Sequence, residues 1–239
     1  MANTQQQSEY VIVTDYAEFD VERLEFAPPR RFNSMQIIGV TVNGGKKLLV
    51  KTPTGMHCPF GLNSYNNGEK LSVNVSLRGH QEDPAKAAFM DFLNRFDDRV
   101  RRAAEADPSW FGGSPKSAEV LNETYTPLLK GDPQGRYAPT VRLNFVTSGG
   151  NTDTALYGDV TSEKLPIESA TIPKGCTCTA LFFLTNVWVM GNKLGVSPKI
   201  QQVRRFLAAP PEGTDSPGAP FRSDPLAAGC AFVDSDDEE

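Results

Sequence analysis

The run "KLSVNVSLRGHQEDPAKAAFMDFLNRFDDRV" (Lys70–Val100) changes its hydrophobic period part-way along. From Lys70 to Arg78 it alternates: Leu71, Val73, Val75 and Leu77 fall on one side, and Lys70, Ser72, Asn74, Ser76 and Arg78 on the other. Successive strand side chains point to opposite faces, so this is a half-buried strand with a polar, basic outer face. After the turn the period lengthens. Phe89, Phe92, Leu93, Phe96 and Val100 recur at helical spacing, which predicts a long helix with one apolar stripe. Asp83 suits the N-cap and Pro84 the first helical position. The run "DPSWFGGSP" ends the helix, and Ser114-Pro115 can start a shorter one reaching about Tyr125. Arg95, Arg99, Arg101 and Arg102 lie in the C-terminal half of the long helix, where cations suit the dipole. They are expected to form a solvated face.

Further strands lie on either side. "MQIIGVTV" (35–42) and "KKLLVKTP" (46–53) flank Asn43-Gly44 and read as a hairpin. "YVIVTDY" reads as a short edge strand, and Asn67-Gly68 as a second tight turn. "RYAPTVRLNFV" (136–146) places Val141, Leu143 and Phe145 inward, with Thr140, Arg142 and Asn144 outward. A polar loop follows over roughly 147–172. "CTCTALFFLTNVWVM" (176–190) is a central strand or a bent pair, with Trp188 expected in the core, and "VSPKIQQVRRF" (196–206) is the last strand. Three strands, a long helix and further strands predict a mainly β protein with one or two helices. The matching architecture is an OB-fold-like Greek-key barrel with its helix inserted between the third and fourth strands.

The organisation follows from composition. Residues 1–34 form an acidic N-terminal extension and 35–207 the barrel domain. Residues 208–233 form a Pro- and Gly-rich linker of disordered type, and 234–239 an acidic tail. The net charge is −5, but six acids and one base lie in residues 1–25, and five acids in the last six residues. Setting both ends aside leaves 18 acids against 23 bases, a mildly basic body between acidic ends.

Several chemistries find no support. No apolar run approaches the roughly 20 residues of a membrane span. The start "MANTQQQSEYVIV" lacks a signal-peptide core, so secretion is not expected. The four cysteines, Cys58, Cys176, Cys178 and Cys230, are therefore expected as reduced thiols. His57-Cys58 beside Cys176 and Cys178 matches no zinc spacing, so neither metal nor cofactor is expected. No nucleophile elbow, phosphate loop or dinucleotide fingerprint occurs, and an enzyme is not expected.

Barrels of this kind hold single strands by stacking bases on aromatic rings and running phosphates along Lys and Arg. Candidate basic positions are Lys51, Lys70, Arg78 and Arg142. Candidate platforms are Phe60, Tyr65 and Tyr137, which sit in turn-rich segments beside strands. The runs "KKLLVKTPTGMHCPFGLNSYNNGEKLSVNVSLRG", "FMDFLNRFDD", "GRYAPTVRLNF" and "KGCTCTALFFLTNVWVMGNKLGVSPKIQQVRRF" carry a family resemblance over about 35–206. The chain resembles the single-stranded DNA-binding proteins of large algal and giant DNA viruses. These are similar to the replication binding protein of short-tailed coliphages. The resemblance implies an OB-type barrel, sequence-tolerant binding of single-stranded DNA, and a tail that recruits a polymerase, helicase or other replication partner. It also implies work inside an infected cell, in the nucleus or at a cytoplasmic replication site. Dimerisation stays open.

The tail residues that would carry partner binding are Phe232, Asp234, Asp236, Asp237, Glu238 and Glu239. Tails in that wider group often end in an aromatic residue. Here Phe232 precedes the acids and Glu239 is last, which weighs on partner docking more than on electrostatics. The competing reading is a β-rich, acidic-tailed chaperone or virion assembly protein that binds no DNA.

Overall fold

The computed structural model describes residues 9–65, 70–148, 151–152, 154–159, 163–167 and 171–207. The Asn67-Gly68 turn, the linker and the acidic tail lie outside the described residues. The N-terminal segment carries β1 (Tyr10–Val13), a 3-10 turn at Val21–Arg23, β2 (Leu24–Phe26) and β3 (Arg30–Phe32). Then come β4 (Met35–Val42), β5 (Lys47–Lys51), β6 (Met56–His57), β7 (Leu62–Tyr65) and β8 (Lys70–Ser76). Helix α1 (Pro84–Ala106) and a 3-10 helix (Pro108–Phe111) precede α2 (Ala118–Thr124). Short strands β9 (Tyr125–Thr126) and β10 (Leu129–Lys130) lead to β11 (Thr140–Phe145). The region read as a polar loop holds β12 (Thr147–Ser148), β13 (Asn151–Thr152) and β14 (Ala155–Tyr157). The chain closes with β15 (Thr177–Phe183), β16 (Asn186–Met190), β17 (Lys193–Val196) and β18 (Lys199–Phe206).

Five strands form a closed ring: β6 pairs β8, β8 pairs β11, β11 pairs β18, β18 pairs β15, and β15 returns to β6. Taking β5 and β6 as one bent first strand, the ring order is 1-2-3-5-4-1. All its pairings are antiparallel except β11 with β18, which is parallel. This is the five-stranded Greek-key closure of an OB-type barrel, and closure removes the exposed edges an open sheet would carry. Helix α1 does follow the third of the strands expected over 35–78, the one at 70–76. Within the barrel, however, it joins the second strand to the third, because the 35–42 strand belongs to another sheet.

That second sheet runs β2-β4-β16-β17-β9, with β3 also on β4. It changes two readings of the sequence. The Asn43-Gly44 turn is present, with Asn43 at φ 52° and Gly44 at φ 74°, but the 35–42 and 47–51 strands share only a Val42–Lys46 bridge. They then part, because β4 finds its ladder on β16 and β5 finds its own on β15. The 176–190 run is the bent pair, with β15 in the barrel and β16 in the second sheet. Alternation in "NVWVM" turns Val187 and Val189 inward, so Trp188 lies on the outer face and is only half-buried. The core tryptophan is Trp110, 1% exposed, with its ring centroid 5.4 Å from that of Phe26 in a tilted contact.

One hydrophobic cluster joins both sheets and α1. Asp83 caps the helix by accepting N–H bonds from Ala85 and Lys86. Phe89, Phe92, Leu93, Phe96 and Val100 are buried, and Phe89 lies 6.3 Å from Phe182 of the barrel. The shorter helix starts later than expected, at Ala118, because Ser117 supplies its cap by accepting from the Val120 N–H.

The helix arginines are not simply a solvated face. The Arg95 guanidinium donates to the carbonyls of Phe19 at 2.9 Å and Tyr16 at 2.5 Å, and pairs with Asp91 at 2.7 Å. Arg99 donates to the Leu24 carbonyl and meets the Glu22 carboxylate at 3.3 Å, and Arg102 pairs with the same carboxylate. Val13, Tyr16, Val21 and Leu24 are buried beneath. Part of the N-terminal acidity thus neutralises the helix within the molecule.

Candidate nucleic-acid interface

The outward face of β7, β8 and β11 follows from alternation and register. Val73, Val75, Val141 and Leu143 face the core. Directly opposed residues share a face, so Asn63–Ser72–Asn144, Asn74–Arg142 and Tyr65–Lys70 form successive rows on the outside. None of the three strands contains an acid. The Arg142 guanidinium lies over the Tyr65 ring, 4.6 Å from its centroid, which braces a cation and an aromatic ring together. Tyr65 is 43% exposed and Lys70 is exposed beside it. Ser72 Oγ and Arg142 Nε are buried without a hydrogen-bond partner.

The far end of the same strand pair holds a second group. The Leu77 N–H donates to the Pro139 carbonyl, which sets Arg78 beside the segment before β11. Arg78, His80, Arg136 and Tyr137 line one groove there, together with Glu82 and Asp132. Tyr137 is 72% exposed, with the Arg136 guanidinium 5.6 Å from its ring centroid. Asp132 is engaged, accepting from the Gln134 and Arg136 N–H groups and from the Arg136 side chain. His57, opposite Ser76, has its pKa lowered by partial burial and by the Arg78 charge. From Lys70 to Arg78 the strand spans about 26 Å.

The expected site residues therefore distribute unevenly. Tyr65, Lys70 and Arg142 come together, and Arg78 and Tyr137 come together at the other end. Phe60 is 57% exposed in the turn after β6, which is pressed against residues 172–174 at Gly61. Lys51 stands opposite Leu181 on the β5–β15 pair, away from the other candidates, and its carbonyl accepts from Tyr16 Oη. Phe232 and the tail acids lie outside the described residues. Sequence reasoning did not single out Arg136, although its adjacency to Tyr137 in "GRYAP" signals a cation beside a ring. It weighed His57 only as a metal ligand, and the proximity of His57 to Arg78 is created only by strand pairing.

Cys58 and Cys178 are buried with sulfurs 3.1 Å apart. Burial and the neighbouring thiol raise the pKa of Cys58, against the lowering effect of Cys176, its largest single influence. Among the described residues no group of three or more His, Cys, Asp or Glu is placed to hold a metal ion, and no helix is long and apolar enough to cross a membrane.

Solved single-stranded DNA-binding proteins of bacteriophages are similar to this chain. The single-stranded DNA-binding protein from bacteriophage Enc34 is 13% identical, with coverage of 81% of this chain and 96% of that chain and a TM-score of 0.43. Gp2.5, a single-stranded DNA-binding protein encoded by bacteriophage T7, is also 13% identical, covering 71% of this chain and 91% of its own, with a TM-score of 0.40. No family model and no curated protein matches the chain.

Proposed function

We propose that the protein binds single-stranded DNA, protecting or organising it during replication, recombination or repair, and that it acts by binding rather than by catalysis. The observation that carries this is the acid-free outer face of β7, β8 and β11, with Arg142 braced over Tyr65. A single strand offers what that face takes: phosphates for Lys70, Arg142 and Arg78, and unpaired bases for Tyr65 and Tyr137. Lys51 and Phe60 extend the same reading toward β5 and β6. Stacking contributes about 1–3 kcal/mol per base and tolerates any sequence. A duplex keeps its bases paired and cannot use the rings.

In this reading the acidic tail mimics phosphate, rests on the basic face until DNA displaces it, and is then free for replication partners. Its place of work would be the nucleus or a cytoplasmic replication site of an infected cell. The test is titration of labelled oligo-dT and of a duplex of equal length at two salt concentrations. The single strand should bind more tightly, and its affinity should fall with salt by about 0.7 log units per log unit for each phosphate neutralised. Arg142→Ala should weaken binding and reduce that slope by about 0.7. Equal affinity for duplex and single strand at low salt would overturn the proposal.

A further inference from the structure

The second sheet has an outer face that the core does not use. Ile38, Val40, Val187 and Val189 point inward, which turns Met35, Ile37, Trp188 and Met190 outward. Register aligns them with their neighbours. Arg30, Ile37, Trp188 and Gly195 form one row across β3, β4, β16 and β17. One step along the sheet, Phe32 pairs with Met35 and Met190 with Lys193. Phe32 is 57% exposed and Met190 49%. The indole of Trp188 lies across Gly195, where an added Cβ would come within 2.8 Å of ring atom Cζ2. Glycine therefore leaves room for the ring against the backbone, where Trp188 stays half-buried. Arg30 and Lys193 are exposed at the two sides of this patch and make no ion pair among the described residues. The one acid in the strands of this sheet, Glu25, stands at the far end opposite Thr41, where its carboxylate accepts the Gly44 N–H at 2.9 Å.

We infer that this face is a second platform for single-stranded nucleic acid, with Trp188 stacking a base and Arg30 and Lys193 holding the adjoining phosphates. The inference rests on the proposed function and extends it from the barrel to the second sheet. Charge decides between occupants. A second copy meeting this patch about a two-fold axis would set the cations Arg30 and Lys193 against cations, with no acid in the patch between them. A polyanion carrying flat rings satisfies both the cations and the indole.

The chain has two tryptophans, and Trp110 is only 1% exposed, so a ligand-dependent emission change reports Trp188. Oligo-dT of about 30 nucleotides, longer than the common range for one such barrel, is the probe. It should quench tryptophan emission. Trp188→Leu should abolish the quenching and weaken binding about fivefold or more. Because Trp188→Leu could disturb packing on Gly195, an Arg30→Ala/Lys193→Ala double variant is tested beside it. That variant should weaken binding and lower the salt slope by about 1.4. If quenching is absent and both variants bind as the parent does, while Arg142→Ala still weakens binding, this inference fails and the barrel site stands. If the parent does not bind oligo-dT, both fail. If the variants instead lose a concentration-dependent self-association seen by sedimentation and keep DNA affinity, the face belongs to a second copy and the inference is overturned.

Discussion

Asp97 is a carboxyl on the buried side of α1, 3% exposed. It accepts the Tyr125 hydroxyl at 2.5 Å and the Leu128 N–H at 2.9 Å, and so ties the β9–β10 segment to the helix. Burial nevertheless dominates and pushes its pKa up to about 7. An unfolded Asp titrates near 3.9, so between these values the native state holds a proton that the unfolded state has released. Stability from this group is complete below about pH 4 and falls as pH rises toward 7. Urea unfolding should show a loss on the order of 3 kcal/mol between about pH 5 and about pH 8. Asp97→Asn, which cannot ionise, should flatten that slope, and an unchanged slope would refute the assignment. At this scale the alternation of inward and outward residues in the candidate site was legible, because "KLSVNVSLR" and "TVRLNF" alternate without interruption. The Arg142–Tyr65 contact was not, since the two residues lie on strands far apart in sequence, brought together only by β8 between them.

Among the elements, α1 was the clearest, with cap, proline start and stripe all agreeing. What the stripe cannot show is what the opposite side touches. Arg95 clamps two carbonyls of the N-terminal segment, and hydrogen bonds to a charged donor contribute about 1.5–3 kcal/mol each. Arg95→Ala should lower stability by about 2–3 kcal/mol in thermal unfolding and speed proteolysis within residues 14–23. A variant as stable and protease-resistant as the parent would show the clamp to be incidental. The hairpin reading failed at the same scale for a plain reason. A turn specifies where the chain reverses, but the ladder forms with whichever neighbour buries more, and β4 is drawn to β16.

Charge organises the whole molecule, and its ledger differs from the sequence total. Glu22 is committed to Arg99 and Arg102, and Glu9 pairs with Lys47, so these N-terminal acids serve the fold. The tail acids, by the proposal above, serve the interface. Removing residues 234–239 should tighten oligo-dT binding, most at low salt, as a competing polyanion is lost. An affinity independent of the tail at every salt concentration would remove the phosphate-mimic role. The alternation of strands, the caps and stripe of α1, and the polar outer faces depend on neighbours in the chain, and the sequence by itself determined them. Which strands close the barrel, where the N-terminal acids go, and which tryptophan is buried depend on long-range pairing. Only the tertiary structure decided these, because a strand's edges are chemically alike and local order does not say which partner will take them.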